Sequence, residues 1–300
     1  WIITPGAPGK GRLAIGAVSI APQPRLAAAG KPPAIRASST LHGHPPEQAI
    51  DPSPDTFWHS ATRAAEASLT LDFGGLRELG GLDLDWCGGD HAQDYQVRLA
   101  ADGVTWRTVK HLRGRRGGRD TLYLPNTVTR YLQLALSNSA RRQGFCLRSL
   151  NLLPAEAAAS PNAFFTRLAR QSSPGDYPKY YLGQQAYFTV IGPPDSPYEA
   201  LMNDAGSLEV GRGRYTIEPF LFRDGRLLTW RDVSLEQTLE RGDLPVPTVR
   251  WQAGATTLRI TGLASGGAEQ TLFARYRLEN TAASPAQLRL YLAIRPFQVN

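Results

Sequence analysis

The stretch EQAIDPSPDTFWHS at 47–60, read with DYQVRLAADGVTWRTV at 94–109, decides the fold. In the first, Ala49 and Ile50 run into Asp51, two prolines, Asp55 and Thr56, and then the aromatic pair Phe57 and Trp58. Proline fixes φ and aspartate closes tight turns, so this spells a rigid loop that presents oxygens and then drops a large ring into a core. In the second, Tyr95, Val97 and Leu99 alternate with polar residues, Asp102-Gly103 supplies a turn, and Trp106 opens the returning strand. The two describe the edge of a β-sandwich, not a helix.

The same period of two continues in LTLDFG (69–74), GLDLDW (81–86), TRYLQLAL (129–136) and FCLRSLNLLP (145–154). With the opening stretches, and in this order, they resemble the discoidin family, the coagulation factor 5/8 type C fold, which in bacterial enzymes is classed among carbohydrate-binding modules. The resemblance spans 35–154 and implies a sandwich whose loops hold glycan. Discoidin domains often hold a structural calcium at the loop that Asp51, Asp55 and Thr56 form here, completed by a glutamate on the final strand. Here Ser149 or Asn151 stands where that acid is expected. Calcium, with its preference for oxygen ligands, and an Asx-turn closed by Asp51 itself are the two readings of this loop.

Three hundred residues exceed what one sandwich core usually fills, so two domains are expected. The fold class is read as all-β: two antiparallel sandwiches of jelly-roll or super-sandwich type joined by a short helical linker. Residues 1–34 read as the end of an upstream β unit, with KGRLAIGAVSIA at 10–21, followed by a proline- and alanine-rich linker. The first sandwich runs over 35–154. A linker over 155–175 follows, with Ser160-Pro161 starting a helix that carries Phe164, Phe165 and Leu168 to Arg170. From 176 to 300 the chain alternates again, in SLEV (207–210), YTIEPFLF (215–222), LLTW (227–230), PTVRW (247–251), TTLRITGL (256–263), QTLFARYRLEN (270–280) and QLRLYLAIRPF (287–297). In the last two, Leu272, Ala274, Tyr276 and Leu278, then Leu288, Leu290, Leu292 and Ile294, fall on one face while arginines fill the other. This region resembles the β-sandwich that precedes the (α/α) toroid of some glycoside hydrolases and phosphorylases. The catalytic carboxylates of such enzymes sit mainly on the toroid, so that resemblance places them after Asn300. Trp1 is not a methionine and the chain stops right after a strand, so it is expected to be a piece of a longer protein.

The formal charge is +7 and only four of the 33 basic residues are lysine. Arginine makes planar, bidentate contacts to carboxylates and phosphates, so acidic polysaccharide and nucleic acid both come into view. The one nucleic-acid-like string, RGRRGGRD at 113–120, has no aromatic and falls where a sandwich needs a hairpin loop, so no nucleic acid is expected. GRGR at 211–214 lacks the ending of a phosphate-binding loop and reads as a turn. No apolar run approaches the ~20 residues of a membrane span. Cys87 and Cys146 lie near predicted strand ends, either as one disulfide or as two buried thiols.

Five loops of distinct chemistry join the strands of the first sandwich: LHGHPP, the Asp51 loop, CGGDHAQD, RGRRGGRD and NSARRQG. A sugar site pairs an exposed ring with polar groups that hydrogen-bond hydroxyls. Trp58 and Trp106 fit the core, while Trp86 and Phe145 lie beside loops and serve either as platform or as core. For the polar part, His59, Arg63 and Arg142 come first, with His42, His44, His91 and Arg141 beside them. Among the acids downstream nothing picks out a catalytic pair, and no nucleophile with its base is visible, so no self-contained active site is expected. The function read from these residues is the carbohydrate-binding and structural region of a larger secreted carbohydrate-active enzyme, extracellular or periplasmic in a bacterium. Its partners would be a poly- or oligosaccharide and a linked catalytic domain. The competing reading is a surface adhesion protein without catalysis.

Overall fold

The computed structural model describes residues 32–193, 196–266 and 270–299. The strands expected over 10–21 and nearly all of the linker at 22–34 lie outside the described residues. The described chain divides into two compact units, one of 32–78, 85–118 and 128–149, the other of 79–84, 119–127 and 150–299. The fold is all-β: among the described residues the sheets are antiparallel and there is one α-helix.

The first seven strands are β1 (Ala34–Ala37), β2 (Trp58–His59), β3 (Glu66–Trp86), β4 (Ala92–Ala100), β5 (Arg107–Leu112), β6 (Arg119–Ser139) and β7 (Cys146–Leu153). They are hydrogen-bonded in the order β2-β7-β3-β6-β4-β5, with β1 also on β3. Register follows from the apolar spacing. Tyr95, Val97 and Leu99 of β4 face Leu136, Leu134 and Leu132 of β6, and all six side chains are buried. A slip of one residue would turn this whole set to water, so the pairing is strongly specified. Trp58 is buried in the core as expected, its indole N–H donating to Ser39 O at 3.3 Å. Trp106, expected in the core too, is only half-buried. The Asp102 carboxylate accepts the Val104 and Thr105 backbone N–H groups at 2.9 and 2.8 Å, which holds its pKa down to about 2 and fixes the turn into β5. Cys87 and Cys146 form a disulfide with Cα atoms 5.3 Å apart.

The single helix, α1 (Pro161–Gln171), starts where the Ser-Pro signal placed it: the Ser160 hydroxyl accepts the Ala163 N–H at 3.0 Å. Its Phe164 packs with Leu153 and Ala157 in a small buried cluster.

The second unit continues with β8 (Phe188–Ile191), β9 (Ala200–Asn203), β10 (Leu208–Glu209), β11 (Thr216–Arg223) and β12 (Arg226–Leu228). Then come β13 (Ser234–Glu240), β14 (Leu244–Ala253), β15 (Thr256–Ser265), β16 (Thr271–Asn280) and β17 (Leu288–Arg295). One sheet runs β12-β11-β10-β9-β8 with β17 paired to β11, and the other runs β13-β14-β15-β16. Ile191, Met202 and Leu208 from the first sheet close against Val249, Trp251, Leu258 and Ile260 from the second. Leu272, Ala274, Tyr276 and Leu278, expected on one face of β16, line up half-buried against this core. β17 departs from the sequence reading: Leu290 packs inward, but Leu292 is 44% and Ile294 70% exposed. Its apolar face is therefore only partly covered.

Beneath the loops of the second unit lies a buried acidic cluster. Glu218, almost fully buried, accepts the Thr216 hydroxyl at 3.1 Å and faces the Arg295 guanidinium at 3.5 Å. Arg295 in turn lies over the rings of Tyr177, Phe220 and Phe297 at 5.6, 5.0 and 5.4 Å. Glu209, also buried, accepts the Val299 N–H at 3.0 Å. Burial raises both carboxyl pKa values, that of Glu218 to about 7, and pushes Tyr181 up to about 12.

Because the folded pKa of Glu218 lies above the ordinary 4.5, the folded state keeps a proton that the unfolded chain has already released. That stability is present at low pH and is lost as pH rises from about 5 to about 8. Melting profiles across this window should show the fall in the native chain and a flatter line for Glu218→Gln, which is neutral throughout; identical slopes would refute the assignment. For the disulfide, Cys87→Ser/Cys146→Ser should cost about 2–4 kcal/mol in urea denaturation. A loss of under about half a kcal/mol would mean that the bridge constrains nothing the strands do not already hold.

Candidate functional site

His59 sits where four loops of the first unit come together. Its position is set by strand pairing, since β2 and β7 align Trp58 with Leu147 and His59 with Cys146. The His59 carbonyl accepts the Leu41 N–H at 2.8 Å and its own N–H donates to His44 O at 3.3 Å, which ties LHGHPP to this point. Next in the chain, Ser60 exchanges bonds with Phe145: its N–H donates to Phe145 O at 2.9 Å and its hydroxyl accepts the Phe145 N–H at 2.9 Å. The Cys146 N–H donates to Asp90 O at 2.7 Å, so the disulfide and this bond together hold the 87–91 segment beside NSARRQG. Gly144, at φ +107°, passes so close to Ser60 and Ala61 that a Cβ there would lie 2.7 Å from the Ser60 hydroxyl oxygen and 2.8 Å from Ala61 O. Only glycine allows that approach in that backbone conformation.

The imidazole of His59 is itself largely committed. A carbonyl can only accept, so Nδ1, 2.7 Å from Ser60 O, carries a proton and donates it. Nε2 then faces Asp90 Oδ2 at 3.8 Å, beyond direct hydrogen-bonding distance. The other Asp90 oxygen, Oδ1, is buried with no hydrogen-bond partner among the described residues. An acceptor left this way carries a desolvation cost of about 1–3 kcal/mol.

Around this centre the rim is basic. Arg63 and Arg142 are exposed at the tips of neighbouring loops, both in the left-handed region, at φ +63° and +56°. Holding a non-glycine residue there costs about 1–2 kcal/mol, which the turns closed by Ala64 N–H to Ala61 O and Arg142 N–H to Ser139 O sustain. Arg141 lies directly over Gly89, where a Cβ would come within 2.2 Å of its guanidinium carbon. His42 is exposed, and His44 stacks on Phe57 with ring centroids 4.1 Å apart and planes 15° from parallel.

Of the residues expected at a sugar site, the structure brings His42, His44, His59, Arg63 and Arg142 onto loops that adjoin at His59. It removes Trp86 and Phe145: they are 1% and 0% exposed, and a buried ring has no face to lay against a pyranose. Trp86 instead packs against Tyr95 at 5.4 Å. The aromatic surface at the rim is the His44–Phe57 pair. Arg141 was expected among the polar groups of the site, whereas Phe57 and Asp90 were not. Phe57 could have been found as the outward neighbour of inward Trp58, whereas Asp90 becomes visible only through the pairing of β2 with β7. His91 is buried, its Nδ1 set against Gly117.

The Asp51 loop is an Asx-turn. Asp51 Oδ1 accepts the Ser53 N–H at 3.0 Å, and the Thr56 hydroxyl reaches both carboxylate oxygens at 2.7 and 2.9 Å. Asp55 points to solvent, its N–H donating to Ser53 Oγ at 3.3 Å. Among the described residues no three His, Cys, Asp or Glu side chains are grouped as metal ligands. One carboxylate engaged by its own loop, with no acid on β7 beside it, does not fit a calcium ion, and no role is derived through one. RGRRGGRD is a loop as expected: its last two residues open β6, and Arg119 is bound by Asp83.

No curated protein matches the chain. Among solved structures it is similar to the chitosan-binding module 1 of a Paenibacillus sp. IK-5 chitosanase/glucanase, at 22% identity over 40% of this chain and 93% of that one, with a TM-score of 0.38. It is similar as well to the family 32 carbohydrate-binding module of Clostridium perfringens NanJ in complex with galactose, at 16% identity over 40% and 92%, TM-score 0.37. A Ruminococcus gnavus GH29 fucosidase in complex with fucose aligns at 14% identity over 46% of this chain and 28% of its own, TM-score 0.40. The family model of the F5/8 type C domain matches residues 34–150. Over that stretch, then, the chain carries an F5/8 type C, or discoidin, domain.

Proposed function

We propose that the discoidin domain binds carbohydrate at the rim around His59. The observation that carries this reading is the convergence of four loops on one point, with the partly exposed Asp90 carboxylate on one of them and exposed Arg63, Arg141 and Arg142 on two others. In such a site the guanidinium groups donate to pairs of sugar hydroxyls, Asp90 accepts one more, and the His44–Phe57 pair offers the apolar surface. The site is shallow and each contact modest, so binding is weak per module. Its use is to raise the local concentration of a linked catalytic unit on its polymer. The larger assignment, a structural and carbohydrate-binding region of a secreted bacterial carbohydrate-active enzyme, draws support from the disulfide, which suits an oxidising compartment. Among the described residues no helix is long and apolar enough to cross a membrane.

A glycan-array screen of the full chain, followed by titration with the best glycan, tests the site. Arg63→Ala/Arg142→Ala should weaken binding by about tenfold or more, since each charge-assisted hydrogen bond is worth roughly 1.5–3 kcal/mol, while leaving the melting temperature in place. Equal affinity in the native chain and the variant would remove the rim from the binding site.

A further inference from the structure

We propose that the second unit carries a glycan-binding groove of its own, selective for a uronic-acid oligosaccharide, at the end of the sandwich where the β11–β12 turn meets the β16–β17 connection. The groove lies wholly within this unit and does not depend on the reading of the first.

A cleft of about 920 Å³ opens there, and a second recess of about 340 Å³ shares Arg223 and Asp224 with it. This size is in the range of small-molecule sites, roughly 300–1,000 Å³. The walls come from the β11–β12 turn, the start of β15, the end of β16, the β16–β17 connection and the start of β17, so Arg289 is placed by a paired strand and Gln287 by the connection just before it.

Most of the polar groups are already tethered. Arg223 donates to Ala253 O at 2.6 Å, to the Thr256 hydroxyl at 3.2 Å and to Asp224 at 2.9 Å. In the smaller recess Arg226 is paired with Asp232. Asn280 holds the 282–284 segment in place, donating to Ser284 O at 3.0 Å and accepting the Ala282 N–H at 3.2 Å. What remains is the Gln287 amide and the Arg289 guanidinium. Both are exposed, both line the cleft, and among the described residues neither has an intramolecular partner.

The chemistry of the ligand follows from that remainder. With Arg223 and Arg226 each neutralised by an aspartate, Arg289 is the net charge of the groove, and a planar fork of donors matches one planar carboxylate. Gln287 and the free Asp224 oxygen offer a donor and acceptors for hydroxyls. The aromatic side chain in the lining, Phe222, is half-buried, which limits the ring surface it can offer for stacking on a neutral pyranose. A chain of sugars bearing one carboxylate per unit satisfies charge and hydroxyls together.

Calorimetric titrations on the Arg63→Ala/Arg142→Ala chain, whose rim is disabled, test this with trigalacturonate and with maltotriose as the neutral control. NMR of the Gln287 side-chain amide and the Arg289 Nε–Hε reports where binding occurs. Trigalacturonate should bind and shift both signals, maltotriose should not, and Arg289→Ala should weaken trigalacturonate by about tenfold, with Arg289→Lys falling between because it keeps charge without the fork. The proposal is overturned if trigalacturonate fails to bind, if maltotriose binds equally well, or if Arg289→Ala leaves affinity and shifts unchanged in a chain that melts normally.

Discussion

The alignment of His59 with Cys146 is the constraint on which the first unit's rim depends. Two residues of β2 suffice to fix it, because the bonds on either side are backbone to backbone or from a buried hydroxyl. From that crossing, LHGHPP is held through His59, NSARRQG through Ser60, and the 87–91 segment through Cys146. Loops placed in this way keep little freedom of their own. Their side chains can therefore meet a ligand without first ordering the backbone, a saving that matters for a site built from a few polar contacts.

The arginine excess has a structural use that its sign does not suggest. Arg130 pairs with Asp72, Arg148 with Asp85, Arg250 with Glu236, and Arg259 and Arg277 share Glu279. The last three arginines stand in one row across β14, β15 and β16, where like charges directly opposite would repel without those glutamates. Exposed pairs of this kind contribute little stability each, and they bring the field of a basic chain close to neutral along its sheets. The unpaired guanidiniums are left at loop tips and strand ends, where a ligand can reach them. Arg295, half-buried among rings, is paired with Glu218, whose pKa burial raises even though the guanidinium beside it pulls the other way.

Much of the fold was legible because half-buried strands print their geometry as alternation: β3, β4, β6 and β16 all carry it, and the helix announced itself by Ser160-Pro161. β13 was missed because Leu235 and Leu239 are flanked by charge and lie at a sheet edge, where burial is partial. The loops of the site could be located from the sequence, but its composition could not. Trp86 looked like a platform from its place beside a loop, yet it continues the inward series of Leu82 and Leu84, and that parity was the better guide. Asp90 and His59 meet through a strand pairing that no local pattern encodes, and the left-handed backbone of Arg63 and Arg142 leaves no trace in residue type.

β17 draws together two features that have a bearing on how this chain behaves in solution. One edge is fully paired with β11, and among the described residues no strand pairs with the other, while Leu292 and Ile294 stand in water beside it. A row of open amides and carbonyls flanked by aliphatic side chains can recruit another strand, and its guards are exposed Arg289 near one end and Pro296 just past the other. Among the described residues, that border is where a further strand could be added with both sandwiches still folded.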